Sequence, residues 1–472
     1  MAGRGPRGWV RRLLGAPRVA LVLLTVVVLA AVVVLATIDR PGSPSAAQLP
    51  GTSPSPSASP SSSPSPRTVL PAADSSAGLP TAAGLRRQLA AMLGQAALGG
   101  RVGWAVTDVM TGRLLARNRA TTPYTPASVT KLTTALAVLS GPGGAHRIAT
   151  RVVAGRRAGE VVLVGGGDPT LSAGAMQAYP GAARLSTLAR RVRAALGGRA
   201  VRTVVVDGSA FSGATLGPGW DTGLVQFGDA APITAVMVDG GRPDPARSAR
   251  SRTPDLLAGH DLAALLGAPG ATIVRGTAAS KARQLGVVHS EPLSQMIEQC
   301  LLPSDNVLAE ALARQVAIWA GQPASFAGAV RAVRARLLAL GLPALQDGLV
   351  DGSGLSRRDR LTPNLLVRVL SAAASTQHPS LHAMLAGLPV AGFTGTLGGR
   401  YRGTGSRAAA GDVRAKTGSL SGVSTLSGLV TDASGRLLAF AFLANQVPTG
   451  GTPAAEQALD RVVTGLSRCG CR

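Results

Sequence analysis

An α/β catalytic portion interrupted by an inserted β-rich domain is the architecture this sequence predicts. Strand-like segments stand at both ends of the folded portion, at 101–107 and 114–116 and again at 423–432 and 437–445. Helical periodicity occupies 128–140, 293–320 and 325–340. Residues 150–285 switch instead to short β-branched runs, such as Val161–Val164 and Val201–Val206, separated by Gly, Pro and Asp turns.

In chain order, residues 1–18 form a basic tail with Arg4, Arg7, Arg11, Arg12 and Arg18 and no acid. Residues 19–38 are apolar apart from Thr25 and Thr37, long enough to span a bilayer. Arginines ahead of the span place the N-terminus in the cytoplasm and the remainder outside. A cleaved signal peptide is the alternative. Its apolar region would be unusually long, and the nearest small-residue pattern, Ser45-Ala46-Ala47, lies well past the span. Residues 39–81 hold the Pro/Ser-rich stretch, with Ser53-Pro54-Ser55-Pro56-Ser57, and form a solvated tether with no core to bury. The catalytic portion begins at 82 and runs to 149, the insert covers 150–285, and the second catalytic part covers 286–472. Its first two strands flank the turn Met110-Thr111-Gly112, Ser325 is placed to cap a helix, and a helix over 453–467 closes the chain.

The 472 residues carry a formal net charge of +25, with 46% hydrophobic and 3% aromatic residues. Basic residues are scattered, aromatics for base stacking are few, and no zinc-finger spacing appears, so nucleic acid is not an expected partner. An anionic membrane or wall polymer suits that charge as well. Of 48 basic residues only Lys131, Lys281 and Lys416 are lysine. Arginine supplies generic positive charge here, which singles out each lysine, because a desolvated lysine can give up its proton and arginine cannot.

Three cysteines leave two readings: a bridge from Cys300 to Cys469 or Cys471, or a free buried Cys300. A bridge within Cys469-Gly470-Cys471 is disfavoured as strained. His146, His260, His289, His378 and His382 lack a metal-ligand pattern: Pro379 interrupts the one i, i+4 pair and no Glu lies in it, so no metal is expected. Gly165-Gly166-Gly167 has no following Lys-Ser/Thr and is a turn rather than a phosphate loop. No G-x-S-x-G elbow is present.

The chemistry sits in three short motifs: Ser128-Val129-Thr130-Lys131, Ser304-Asp305-Asn306 and Lys416-Thr417-Gly418-Ser419. Ser128 and Lys131, three apart at a helix start, face one side of its first turn. The positive end of the helix favours a developing anion at Ser128. A serine hydroxyl needs an adjacent base to become nucleophilic. Lys131 can be that base if burial or a nearby cation lowers its pKa, and Lys416, on a strand, supplies such a cation. Gly418 is expected to leave room for substrate along that strand.

Together these motifs match the S-x-x-K, S-D-N and K-T-G set of penicillin-binding proteins and serine β-lactamases. Within that superfamily the chain resembles peptidase family S13, the class C low-molecular-mass penicillin-binding proteins. Four features carry the resemblance. The first two motifs stand 176 positions apart, and Gly166-Gly167-Asp168-Pro169-Thr170-Leu171 and Val206-Asp207-Gly208-Ser209 resemble recurring turns of that family's insert. Leu308-Ala309-Glu310 continues the second motif, and Asp351-Gly352-Ser353-Gly354-Leu355-Ser356 with Arg360-Leu361-Thr362-Pro363 resembles a characteristic loop.

The resemblance implies a penicillin-binding-protein/serine β-lactamase-like transpeptidase fold and a penicillin-sensitive D-Ala-D-Ala carboxypeptidase/endopeptidase without cofactor. Its substrate would be the peptidoglycan stem peptide, β-lactams its covalent inhibitors, and its place the outer face of the cytoplasmic membrane. Ser128 would attack the penultimate D-Ala carbonyl, Lys131 act as base, and Ser304 relay the proton to the departing amine. Asn306 would bind the substrate amide, and Lys416, Thr417 and Ser419 the terminal carboxylate, with Gly418 lining the same strand. The backbone N–H groups of Ser128 and Ser419 would form the oxyanion hole. Glu310 and Glu298 are expected to be structural helix residues. One departure stands out: the family's insert acid, four positions after the Trp of P-G-W, is replaced here by Leu224 after Pro218-Gly219-Trp220, with Asp221 the nearest acid. A β-lactamase or esterase, and a catalytically silent wall-binding protein, are the rival readings; the absent deacylation acid and the complete motif set weigh against each in turn.

Overall fold

Apolar alternation and turn chemistry set the first elements. A computed structural model describes residues 76–221, 223–344 and 348–471; the basic tail, the apolar span and nearly all of the tether lie outside them. Helix α1 (Ala82–Leu93) starts where Thr81 accepts from Gly84 N. Strands β1 (Arg101–Asp108) and β2 (Leu114–Asn118) follow, joined by a turn in which Asp108 accepts from Thr111 N and Gly112 adopts φ 67°. After a short 3₁₀ turn (Ala127–Thr130), helix α2 (Lys131–Ser140) runs through the core, buried from Lys131 to Leu139.

The intervening segment builds its own sheet from β3 (Ala149–Ala154), β4 (Glu160–Val164), β5 (Thr203–Asp207), β6 (Thr272–Arg275) and β7 (Gln284–His289), in the order β6-β5-β4-β3-β7. β4, β5 and β6 are parallel, so each crossover needs a covering element. Two helices join that sheet. In α3 (Leu185–Leu196), Leu185, Leu188, Ala189 and Val192 recur at helical spacing and are buried; α4 (Pro254–Leu265) opens on a proline. The insert is thus mixed α/β around the expected strands.

The stretch expected as one helix over 293–320 is two, α5 (Leu293–Leu301) and α6 (Asn306–Trp319), split where Ser304 takes φ 66°. Helix α7 (Phe326–Ala339) is capped by Ser325, which accepts from Gly328 N as its sequence position predicts. Thr362 and Pro363 open α8 (Pro363–Ala374). Strands β8 (Val413–Leu420), β9 (Val423–Thr431) and β10 (Leu437–Asn445) then precede α9 (Thr452–Ser467).

The second sheet is antiparallel, ordered β2-β1-β10-β9-β8, with β8 at its edge. One face packs on α8, and α2, α6 and α7 pack on one another and on α8 beyond it, in one buried cluster with Leu132, Leu136, Leu308, Leu312 and Leu370. The other face, with Phe440, Phe442 and Leu426, packs on α1 and α9. Cys469 and Cys471 bridge each other, and Cys300 is free and buried. This corrects the expectation that disfavoured the short bridge: the i, i+2 pair sits with its Cα atoms 5.0 Å apart, within disulfide reach. Among the described residues no helix is long and apolar enough to cross a membrane, and no cluster of His, Cys, Asp and Glu forms a metal site.

Candidate active site

The three motifs converge. Ser128 lies in the 3₁₀ turn that feeds α2, and Lys131 is the first residue of that helix. Turn and helix put Lys131 Nζ 2.9 Å from Ser128 Oγ. The same nitrogen lies 2.5 Å from Asn306 Oδ1, at the start of α6, and 2.8 Å from the Ser353 carbonyl. Lys131 is 1% exposed, and burial pushes its ammonium below the usual lysine range against the pull of Asp351, Asp305 and Glu310. Lys416, fully buried on β8, is pushed well below it by burial and then by the charge of Lys131. Its Nζ donates to the Thr417 carbonyl at 2.9 Å.

The turn carrying Ser128 is held from several sides. Ala127 sits at φ 50°, a conformation a non-glycine residue adopts at a cost of about 1–3 kcal/mol. Asn445 offsets that cost: its Oδ1 accepts from Thr125 N at 2.9 Å and its Nδ2 donates to Thr125 O at 3.1 Å. Thr425 Oγ1 donates to Pro126 O at 2.8 Å. A Cβ at Gly418 would collide with Thr425 Oγ1 and crowd Pro126 O at 2.8 Å and Ser128 N at 3.0 Å. The glycine therefore lets the Ser128 turn press against β8, in addition to the room for substrate expected from it. Thr417 Oγ1 meets Thr396 Oγ1 at 2.7 Å, and Ser419, exposed, donates to Glu456 at 2.8 Å.

Asp305, the middle of the second motif, is a structural anchor. It caps α6 by accepting from Leu308 N at 2.9 Å. Its other oxygen receives Tyr179 Oη at 2.9 Å, Arg250 at 3.1 Å and Arg242 at 3.4 Å, all from the insert. Burial alone would raise Asp305, but Arg250, Arg242, the Leu308 amide and Tyr179 hold it well below the carboxylate range. Asn306 Nδ2 donates to the Asp229 carbonyl, again from the insert. A cavity of about 760 Å³ opens here between Tyr179, Asp229, Arg242, Glu298 and Ser304.

The loop Asp351–Ser356 supplies the carbonyl that touches Lys131. Asp351 Oδ1 accepts from Ser353 N and Gly354 N, and Oδ2 accepts from Ser356 N and from Trp220 Nε1 at 2.8 Å. Trp220 of the P-G-W segment thus braces this loop. Glu310 Oε1 accepts from Gly352 N at 2.9 Å and Ser353 N at 2.8 Å. Nothing local in the sequence assigns Tyr179, Arg250 or Trp220 to the site; their partners lie 126, 55 and 131 positions away.

A buried lysine on a serine, an S-D-N turn beside it and a lysine strand at a sheet edge define an active-site serine enzyme of the penicillin-binding class. The D-Ala-D-Ala carboxypeptidase 3 (S13) family matches over residues 85–246 and 243–466. A carboxypeptidase of Mycobacterium tuberculosis is 44% identical over 411 residues, covering 85% of this chain and 87% of that one. Carboxypeptidase DacB of Mycolicibacterium smegmatis is 45% identical over 407 residues, covering 84% and 87%. The crystal structure of penicillin binding protein 4 from Haemophilus influenzae superposes with a TM-score of 0.68 at 23% identity, covering 83% of this chain and all of that one, which places the fold. The chain belongs to the D-Ala-D-Ala carboxypeptidase 3 (S13) family and is a serine-type hydrolase of that kind.

Proposed function

We propose that this enzyme cleaves peptidoglycan stem peptides through an acyl-enzyme on Ser128. The observation that carries the role assignment is the environment of Lys131. A neutral amine has two N–H bonds and one lone pair. Asn306 Oδ1 and the Ser353 carbonyl accept the two N–H bonds, which leaves the lone pair for the proton of the Ser128 hydroxyl, whose Oγ lies 2.9 Å from Nζ. Ser128 Oγ then bonds to the penultimate D-Ala carbonyl carbon as its proton passes to Lys131. The backbone N–H groups of Ser128 and Ser419 receive the developing oxyanion. The proton passes through Ser304 to the departing amine as the peptide bond breaks, and water hydrolyses the ester. Lys416, Thr417 and Ser419 hold the carboxylate next to that amine. Glu310 is no candidate for a deacylating base, because it is fully buried and its Oε1 is taken by two backbone N–H groups.

A β-lactam follows the same first step, but its ring nitrogen stays tethered to the acyl group, so the adduct persists. Penicillin should add its mass to Ser128 and to no other residue, and Ser128→Ala should give no adduct. An adduct elsewhere, or none on the wild-type protein, ends this reading. Free D-Ala released from a stem pentapeptide, against a cross-linked dimer cut in two, separates carboxypeptidase from endopeptidase work. We further propose that residues 19–38 are an uncleaved anchor and 39–81 a spacer that carries the enzyme outside the cytoplasmic membrane. Membrane fractionation of the full chain and of a form lacking residues 1–40 tests this: the full chain should pellet with membranes and the shortened one stay soluble and acylate penicillin.

A further inference from the structure

The proposal rests on the acyl-enzyme reading above and concerns a group that reading leaves unused. Glu310 and Arg314 lie one turn apart on α6, both fully buried, with Arg314 Nη1 3.8 Å from Glu310 Oε2. The guanidinium is packed over the Phe326 ring at 4.1 Å and near Phe211 at 5.3 Å. A buried pair of this kind is often no more stable than an apolar pair of equal volume. Its retention asks for another reason. Glu310 Oε1 binds the N–H groups of Gly352 and Ser353, while the carbonyl of that same Ser353 binds Lys131 Nζ. Thr134 Oγ1 adds a third tie, donating to Gly352 O at 2.7 Å.

We propose that Glu310 is a positioning residue for the catalytic lysine: by clamping the Gly352 and Ser353 amides it aims the Ser353 carbonyl at Lys131, and so turns the lysine lone pair toward Ser128. The clamp needs an acceptor oxygen, not a charge. Burial, with Asp351 adding to it, pushes Glu310 up to about 8 against the pull of Arg314, and its two amide hydrogen bonds are made by an oxygen that accepts in either charge state. A glutamine offers the same acceptor. Released, the carbonyl can swing, one lysine N–H loses its partner, and the lone pair is no longer held on the Ser128 proton. Misplacement by about 1 Å costs on the order of 10²-fold in rate.

Two double variants of the full chain isolate the acceptor and avoid a stranded arginine: Glu310→Gln/Arg314→Met and Glu310→Leu/Arg314→Met. Both remove the ion pair; only the first keeps the oxygen. Fluorescent-penicillin acylation is measured for each, with the noncovalent Kd and the ε-¹³C titration of Lys131. The chain has three lysines, so labelled lysine gives three signals, with exposed Lys281 as an internal control. The glutamine form should acylate within about fivefold of wild type, whereas the leucine form should fall about 10²-fold with its Kd unchanged and its Lys131 titration displaced. Equal rates in the two folded variants, or equal Lys131 titrations, overturn the clamp. Should either double variant fail to fold, Glu310→Gln alone, retaining the clamp oxygen, must still acylate within that range, and a 10²-fold loss there overturns it too. Failure of the acyl-enzyme reading is distinct, since wild type would then take up no penicillin on Ser128.

Discussion

Lys416→Met should yield a more stable and slower enzyme. Lys416 Nζ is fully buried, donates to the Thr417 carbonyl, and is held well below its ordinary value of 10.5 by burial and by Lys131. Such a group binds fewer protons folded than unfolded between its folded pKa and 10.5, so it subtracts from stability at neutral pH, and stability climbs with pH across that window. Methionine of similar volume removes that cost. Replacing buried charge by apolar groups gains about 1–4 kcal/mol, and each kcal/mol raises Tm by roughly 2–4 °C in a large domain. The advantage should shrink as pH rises through 10.5, well above which the wild-type lysine is neutral in both states. The rate moves the other way. Without Lys416 the substrate carboxylate loses one of the groups proposed to hold it, and misplacement of the substrate by about 1 Å costs on the order of 10²-fold in acylation rate. Thermal unfolding and stopped-flow acylation from pH 5 to 10 read both effects. A Lys416→Met protein less stable than wild type at pH 7, or one that acylates at the wild-type rate, refutes the reasoning.

Lys131→Arg stays protonated and cannot accept the serine proton, so acylation should drop about 10²–10⁴-fold, while Lys281→Arg, exposed, should match wild type in the same assay. Arg250→Ala leaves the buried Asp305 carboxylate short of a cation 3.1 Å away and should cost about 3–5 kcal/mol in urea unfolding. Gly418→Ala drives a methyl into Thr425 Oγ1 and toward the Ser128 amide; acylation should fall about 10²-fold while far-UV circular dichroism stays native.

The sequence made the motif set legible because each motif is a short run of residue types with a fixed spacing: Ser128 and Lys131 three apart at a helix start, Ser304-Asp305-Asn306, and Lys416 on a strand. The capped α7 and the insert's β4 and β5 were legible for the same reason, since Ser325 and the short β-branched runs state their preference within a few residues. The anchoring of those pieces was not. Asp305 reads as a motif letter, yet it joins Arg242, Arg250 and Tyr179 of another sheet's loops, and no spacing rule links them. Glu310 reads as a helix residue because its partners, the 352 and 353 amides, belong to a loop 42 and 43 positions on. The break between α5 and α6 hid inside one continuous helical pattern. Cys469 and Cys471 pair across one glycine, a bridge the spacing disfavoured as strained, while Cys300 stays free and buried, one of the two readings left open.

The pairing of β1 with β10 sets an order of assembly. Thr125, three residues ahead of Ser128, is pinned by Asn445, 320 positions later, and Trp104 and Val106 pair with Phe442 and Phe440. A ribosome that has made the first motif has not yet made the strand that seats it. The insert's sheet, by contrast, closes at His289, once β7 has joined β3. Domains tend to fold as units during synthesis, and pairings between distant strands come late because loop closure must come first. The growing chain therefore carries a closed insert sheet and an unassembled serine from His289 until Asn445 has been made. Hydrolytic competence arrives only when β8, β9 and β10 add to the waiting hairpin, which keeps a wall-cutting nucleophile silent until the rest of the enzyme is made.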